Sequence, residues 1–509
     1  MIEKAMRVTF LDVPDWVRGE GVDRVLVGDT GALVCPDLFS LTLAAILRKH
    51  GIGAGYEDFN ARKRSEREFL GWLEKDFSDI YCINSVSSSW EGDLYAVRLI
   101  RQVRGGVPVI FTGPGPTMNP RAYIIDARVV VVRGEPERNF EKVVRKVDQG
   151  DFKALREIPS VNFRVEDYIF HTDPAPPLAD IDDLPFPARN LVRQQDYMNS
   201  HLSQRPWTGI FTSRGCSHSC AHCVPGSGSF AREIEFKRSA RGRKPPVRLR
   251  SLVNIYSELQ EIRADGYRSF SVLDDQFIWG EKRTVRFCDM VRPFGMEWGC
   301  AVNPRLVTEK IAKAFGRSGC RYVEMRAESF SEEVFTFIER ACTPEDVRRA
   351  VRLLEDAGVA PKLTVVVGNE PLESESNLKK TMNELLRLGP SLAAFSIASL
   401  HPGTDLYEKA RADGWLIENN YRTIHVQRPA QVKYSRISLR TLERWLKFAT
   451  LRFYLSPRFL FRNLVRVISG RPALLRLRDW WGTVTFARKA RVGLGLHYGL
   501  LCGMPARKD

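Results

Sequence analysis

The chain has 509 residues, more than one ordinary core can use, and its 44% hydrophobic and 27% charged composition excludes a largely disordered protein. Ten cysteines over this length exclude a disulfide framework, and no secretory signal pattern opens the chain, so a reducing cytoplasm is expected. The formal net charge of +16 gathers at 232–250 and again from 436 onward, which asks for an anionic partner: nucleic acid, membrane or a phosphorylated substrate.

Residues 1–150 alternate short apolar runs with helical stretches. Strands are predicted at 7–12, 79–84, 107–113 and 129–133, and an amphipathic helix at 37–48. That order predicts a Rossmann-like, doubly wound parallel sheet with a ligand site at the strand C-termini. Gly113-Pro-Gly-Pro-Thr117 is not a dinucleotide fingerprint, because proline interrupts it and the third glycine is missing. Residues 151–204 read as a linker, its run at 173–187 stiffened by proline.

Strand and helix signals alternate again over 205–416. An apolar strand from Thr208 empties into a cysteine loop, and further strands are predicted at 269–274, 322–326, 363–368 and 394–399, giving α/β architecture with a partial (β/α)6 TIM barrel. Residues 417–509 turn helical and basic, with a helix over 439–454 and another that Pro457 starts or breaks. Arg452, Arg458, Arg462, Arg466, Arg471, Arg476 and Arg478 interleave there with Phe453, Phe459, Phe461, Trp480 and Trp481. No run of about eighteen apolar residues occurs, so this segment can lie on a membrane but not span it. A helical cap on the barrel is the alternative. Nucleic acid is not expected, since no RNA-binding signature accompanies the charge.

The loop Gly215-Cys-Ser-His-Ser-Cys-Ala-His-Cys223 carries the chemistry. Cys216, Cys220 and Cys223, spaced Cys-x3-Cys-x2-Cys, can converge without a fourth cysteine nearby, which makes a soft metal site with one open position. Zinc would need His218 or His222 as a fourth ligand from inside the same tight loop. An iron–sulfur cube with one iron left open suits the spacing.

This motif resembles that of the radical S-adenosylmethionine enzymes. The order of elements around Gly113-Pro-Gly115 and Arg133-Gly-Glu-Pro-Glu137, and the acidic-then-Pro-Phe-Pro phrase ending at Pro187, resemble the cobalamin-dependent branch, including methyltransferases and anaerobic magnesium-protoporphyrin ester cyclases. The resemblance covers most of the chain up to about Leu416. It implies a [4Fe–4S] cluster on the three cysteines, S-adenosylmethionine on its open iron, and an external flavodoxin- or ferredoxin-type electron donor. It also implies cobalamin in the N-terminal domain near Ser85, Ser87, Gly113 and Gly115. Polar residues at barrel strand ends become candidates for holding S-adenosylmethionine: His222, Asp274, Asp275, Glu328, Ser329, Arg340 and Gly368.

Two departures stand out. The loop after the first strand, Asp12-Val-Pro-Asp-Trp-Val-Arg-Gly19, lacks the histidine that ligates cobalamin in some proteins, and His222 stands where the family usually has an aromatic hydrocarbon ring. The leading expectation is a C-methyltransferase acting on an unactivated carbon of a small hydrophobic or secondary metabolite, lipid-like in character, with the protein cytoplasmic or peripheral at the inner face of the membrane. A radical cyclase remains open. A tRNA methylthiotransferase would need a second cysteine triad, and only Cys35 and Cys82 lie near the N-terminus. A cobalamin domain reduced to a scaffold, and a non-catalytic cobalamin- or membrane-binding protein, also fit the pattern.

Overall fold

The computed structural model describes residues 6–17, 33–239, 244–339, 341–369, 371–398, 400–417, 432–433 and 435–468. The first sheet has seven strands: β1 (Arg7–Asp12), β2 (Gly53–Asp58), β3 (Ile80–Asn84), β4 (Val109–Thr112), β5 (Val129–Val132), β6 (Val161–Val165) and β7 (Tyr168–His171), in the order β2-β1-β3-β4-β5-β6-β7. The first five are parallel, and β6 and β7 close the far edge as an antiparallel hairpin. Val130 and Val132 pack on one face with Phe140, Val143 and helix α1 (Leu38–Lys49), while Val129 and Val131 pack on the other with Leu94, Val97 and Ile100. A strand buried on both faces needs apolar residues at every position, which is why β5 reads Val-Val-Val-Val. Because β1 lies between β2 and β3, the crossover direction reverses there, and the loops leaving β1 and β3 part at the C-terminal edge.

The hairpin β6–β7 falls inside the 151–204 stretch expected to be linker. Its alternating Val161, Phe163 and Ile169 have apolar partners only once the sheet edge exists. Strand β2 is likewise absent from the expected elements, since Gly-Ala-Gly-Tyr-Glu-Asp has no apolar run and is held by in-register pairing with β1.

The second sheet is the predicted partial barrel. Six parallel strands follow one another in chain order: β8 (Trp207–Ile210), β9 (Ser269–Val272), β10 (Glu297–Ala301), β11 (Cys320–Glu328), β12 (Ala360–Val367) and β13 (Leu392–Ile397). Strand β10 is short and glycine-interrupted, but its Trp298 anchors an aromatic cluster with Phe270, Phe287 and Phe315. Beyond the barrel, helix α3 (Leu439–Tyr454) packs on β13, where Tyr454 Oη donates to Ala393 O at 2.6 Å, and helix α4 (Pro457–Ile468) follows. No helix among the described residues is long and apolar enough to cross a membrane.

Candidate active site

The chain leaves β8 through the two-residue strand Ser213–Arg214, which pairs with Arg248–Leu249, and turns at Gly215 into the cysteine loop. Gly215 has φ +94°, a conformation open to glycine, and a Cβ there would meet Arg232 Nη2 at 2.6 Å. From the end of β9, the Asp275 carboxylate accepts from Gly215 N at 3.0 Å and from Gly226 N at 2.7 Å, so one side chain holds both ends of the loop. Gln276 Oε1 accepts from Ser217 N at 3.2 Å. Lys244 Nζ donates to His218 O at 2.6 Å, and Ala221 N donates to Ile338 O at 3.1 Å. The loop is therefore positioned by barrel strand ends, as α/β barrels position their chemistry.

Cys216, Cys220 and Cys223 are half-buried and line one cavity of about 150 Å³, together with His222, Asp274, Asp275, Asn303, Glu324 and Arg326. Burial pushes the Cys216 thiol up to about 11 and the Cys223 thiol up to about 12. A metal must therefore displace their protons to bind. Among the described residues no three His, Cys, Asp or Glu side chains converge on a single ion's position. Three soft donors spread around one cavity fit a multi-iron cluster, in which each thiolate takes a different iron.

The expected residues divide. Asp274 touches the cavity, but its carboxylate accepts from Thr212 N at 2.6 Å and Ser213 Oγ at 2.8 Å, and burial raises it to about 6. It holds β8 against β9. His222 Nε2 lies 3.3 Å from Glu328 Oε1. Glu328 is 1% exposed and sits at φ +50°, where the pairing of β11 with β12 slips, a strained conformation for a long side chain and of the kind that gathers at functional sites. Ser329 turns away, its Oγ 3.1 Å from Thr381 Oγ1. Gly368, at φ +83°, donates its N–H to Glu373 at 2.8 Å and is absent from the cavity wall. Arg340 lies outside the described residues.

Glu324, Arg326 and Asn303 were not singled out from sequence. Glu324 accepts from Lys362 Nζ at 3.1 Å and Thr364 Oγ1 at 3.0 Å inside the barrel. The signal was available: Tyr322, Glu324, Arg326 and Glu328 alternate along β11, so polar side chains at period two face one side.

The remaining candidate residues lie at the C-terminal edge of the first sheet. Ser85 is fully buried, its hydroxyl 3.0 Å from Tyr123 Oη and donating to Asp93, while Ser87 is half-buried at the start of a short turn. A Cβ on Gly113, at φ +99°, would reach 2.6 Å from Ser85 O, and one on Gly115 would collide with Tyr123 Oη. Those glycines let the loops after β3 and β4 close on each other.

Buried ion pairs fasten this edge to the cysteine loop. Arg214 pairs with Glu135 at 3.1 Å and Glu137 at 2.6 Å, and Arg248 also binds Glu135. Arg133 pairs at 2.9 Å with Glu235 of helix α2 (Ser227–Ser239), which follows the loop. Burial would raise Glu135, but the two arginines outweigh it and hold the carboxyl at about 2. Between these groups a cavity of about 20 Å³ remains, lined by Asn84, Gly113, Glu135, Glu137 and Arg214. Glu137 Oε2 is buried without a hydrogen-bond partner, an acceptor that an amide donor from the corrin periphery suits. The space itself is water-sized and far smaller than a corrin.

Residues 210–411 match the Radical SAM superfamily. The chain is 25% identical over 451 residues to an uncharacterised methyltransferase of Pyrococcus horikoshii, covering 87% of this chain and 92% of that one. It is 26% identical over 315 residues to the anaerobic magnesium-protoporphyrin IX monomethyl ester cyclase of Rubrivivax gelatinosus, covering 60% of this chain and 52% of the cyclase. In fold it resembles the cobalamin-dependent S-adenosylmethionine radical enzyme OxsB, solved with aqua-cobalamin and S-adenosylmethionine, with a TM-score of 0.65 and 12% identity over 95% of this chain and 71% of that one. The family implies a [4Fe–4S] cluster and S-adenosylmethionine, for which the three thiols around one cavity are suited. The chain is therefore an enzyme that carries a radical S-adenosylmethionine domain over residues 210–411, and its fold resembles that of the cobalamin-dependent radical enzyme OxsB.

Proposed function

We propose that the protein is a cobalamin-dependent radical S-adenosylmethionine C-methyltransferase acting on an unactivated carbon of a hydrophobic or secondary metabolite, lipid-like in character. The carrying observation is the fastening of the first sheet's C-terminal edge, through Arg214, Glu135 and Glu137, to the residue beside the cysteine loop. In this reading the two cofactors would lie on either side of that junction. When bound, the cluster with S-adenosylmethionine supplies a 5′-deoxyadenosyl radical, and cobalamin supplies a transferable methyl group.

In this reading Cys216, Cys220 and Cys223 hold the cluster, and Asp275 keeps their loop closed. His222, set by Glu328, flanks S-adenosylmethionine, with Arg326 and Asn303 on the same cavity wall. Ser87, Gly113, Gly115 and Glu137 shape the cobalamin edge, and the loop after β1 offers no histidine to the metal. An external flavodoxin- or ferredoxin-type protein supplies electrons. The C-terminal region brings the protein to the inner face of a membrane.

Anaerobic turnover with the true substrate tests the reading: each methylated product should appear with one 5′-deoxyadenosine and one S-adenosylhomocysteine. Deoxyadenosine without S-adenosylhomocysteine favours the second reading, a radical cyclase, which the likeness to the magnesium-protoporphyrin cyclase supports.

A further inference from the structure

Helix α4 docks by one face and displays the other. On the docked face Phe459 is buried, Arg462 pairs with Glu355 at 2.8 Å, and Arg458 Nη1 donates to Arg387 O at 2.5 Å. The opposite face carries Leu460, Phe461, Leu464, Val465 and Ile468, which are 41%, 69%, 55%, 42% and 75% exposed. Their spacing of i, i+1, i+4, i+5 and i+8 puts all five along one stripe of the helix. Leaving that many large apolar side chains in water is unfavourable, and a contiguous exposed stripe of this kind marks an interaction surface.

The charge of the C-terminal region selects the partner. Residues 436–509 contain sixteen Lys or Arg against three Asp or Glu, so 13 of the chain's net +16 lies there. Within the described part, Arg440, Arg444, Arg452 and Arg458 are exposed. A second copy of this chain would carry the same basic region and be repelled by it. Nucleic acid would use the arginines but leave five largely aliphatic side chains without a role. An anionic bilayer surface serves both features, because it offers phosphate to the arginines and acyl chain to the stripe.

We propose that α4 lies in the plane of an anionic membrane surface, with Leu460, Phe461, Leu464, Val465 and Ile468 inserted and the docked face holding the barrel against the bilayer. This rests on the reading that the C-terminal region meets a membrane, and it names the element and the lipid charge that do so.

The test is flotation of the full-length protein with vesicles of mixed phosphatidylglycerol and phosphatidylcholine, and with phosphatidylcholine alone. Wild type is compared with a triple variant, Phe461→Gln, Leu464→Gln and Ile468→Gln. Wild type should float with the anionic vesicles, less so as salt rises, and only weakly with the neutral ones. The triple variant should partition at least about tenfold less, with an unchanged melting temperature, since each substitution removes a large apolar side chain from the bilayer. Equal flotation of both proteins would overturn the role of α4 while leaving membrane contact by other residues. Failure of wild type to bind either vesicle would overturn both. A lowered melting temperature in the variant, or a wild-type dimer that the variant abolishes, would show that protein covers the stripe instead.

Discussion

Asp275 should decide whether the cysteine loop can keep a cluster. Its carboxylate takes two backbone N–H groups, Gly215 at 3.0 Å and Gly226 at 2.7 Å, and these bracket all three cysteines. A hydrogen bond to a charged acceptor contributes about 1.5–3 kcal/mol, and a half-buried group sits at the lower end, so the pair contributes about 3 kcal/mol to loop closure. That corresponds to roughly 100-fold in the balance between closed and open loop. Asp275→Ala should therefore lose its cluster to an iron chelator about 100-fold faster than wild type after anaerobic reconstitution, with the melting temperature of the apo-protein nearly unchanged. Asp275→Asn keeps one acceptor but turns an amide N–H₂ toward the other donor, so it should fall between the two. Iron and sulfide content, followed by the decay of cluster absorbance under chelator, measures this directly. If Asp275→Ala holds its cluster as long as wild type, the clamp is not what preorganises the loop.

Replacing Cys216, Cys220 or Cys223 by Ala should abolish 5′-deoxyadenosine formation, and any such variant that still makes it would end the assignment of the cluster. In the apo-protein, burial lifts Cys216 from its ordinary 9.0 to about 11, which lowers its thiolate fraction at pH 8 about 100-fold. Iodoacetamide mapping should find it correspondingly slow, and faster as pH rises; the rate of an unhindered cysteine at pH 8 would contradict this. Glu135→Gln should destabilise the protein by about 3–5 kcal/mol, because Arg214 and Arg248 lose their shared buried anion. The folded Glu135 carboxyl is depressed from 4.5 to about 2, so its contribution is complete above pH of about 4.5 and is lost as pH falls toward 2. Denaturation curves of wild type and Glu135→Gln should converge as pH falls from about 4.5 toward 2, and a gap that stays constant over that range would count against the pair.

Much of this molecule is legible locally. The Cys-x3-Cys-x2-Cys spacing announces its donor set, apolar runs such as Val129–Val132 can be little other than buried parallel strands, and the C-terminal helices start at the serine and proline that sequence chemistry favours. What stayed hidden has no local signature. Strand β2 is glycine-rich and exists because β1 pairs with it, and Asp275 stands out only as a polar strand-end residue, its grip on Gly215, 60 positions away, having no local sign. Glu135 and Arg248 are 113 residues apart, and their pairing belongs to neither domain alone. The sequence alone therefore determined which thiols are present and where the apolar strands and amphipathic helices lie, because spacing and hydrophobic period are properties of neighbouring residues. Only the tertiary structure decided which charges are buried together and which carboxylate closes the loop, because ionic and hydrogen-bonding partners are chosen by distance in space after both sheets have formed.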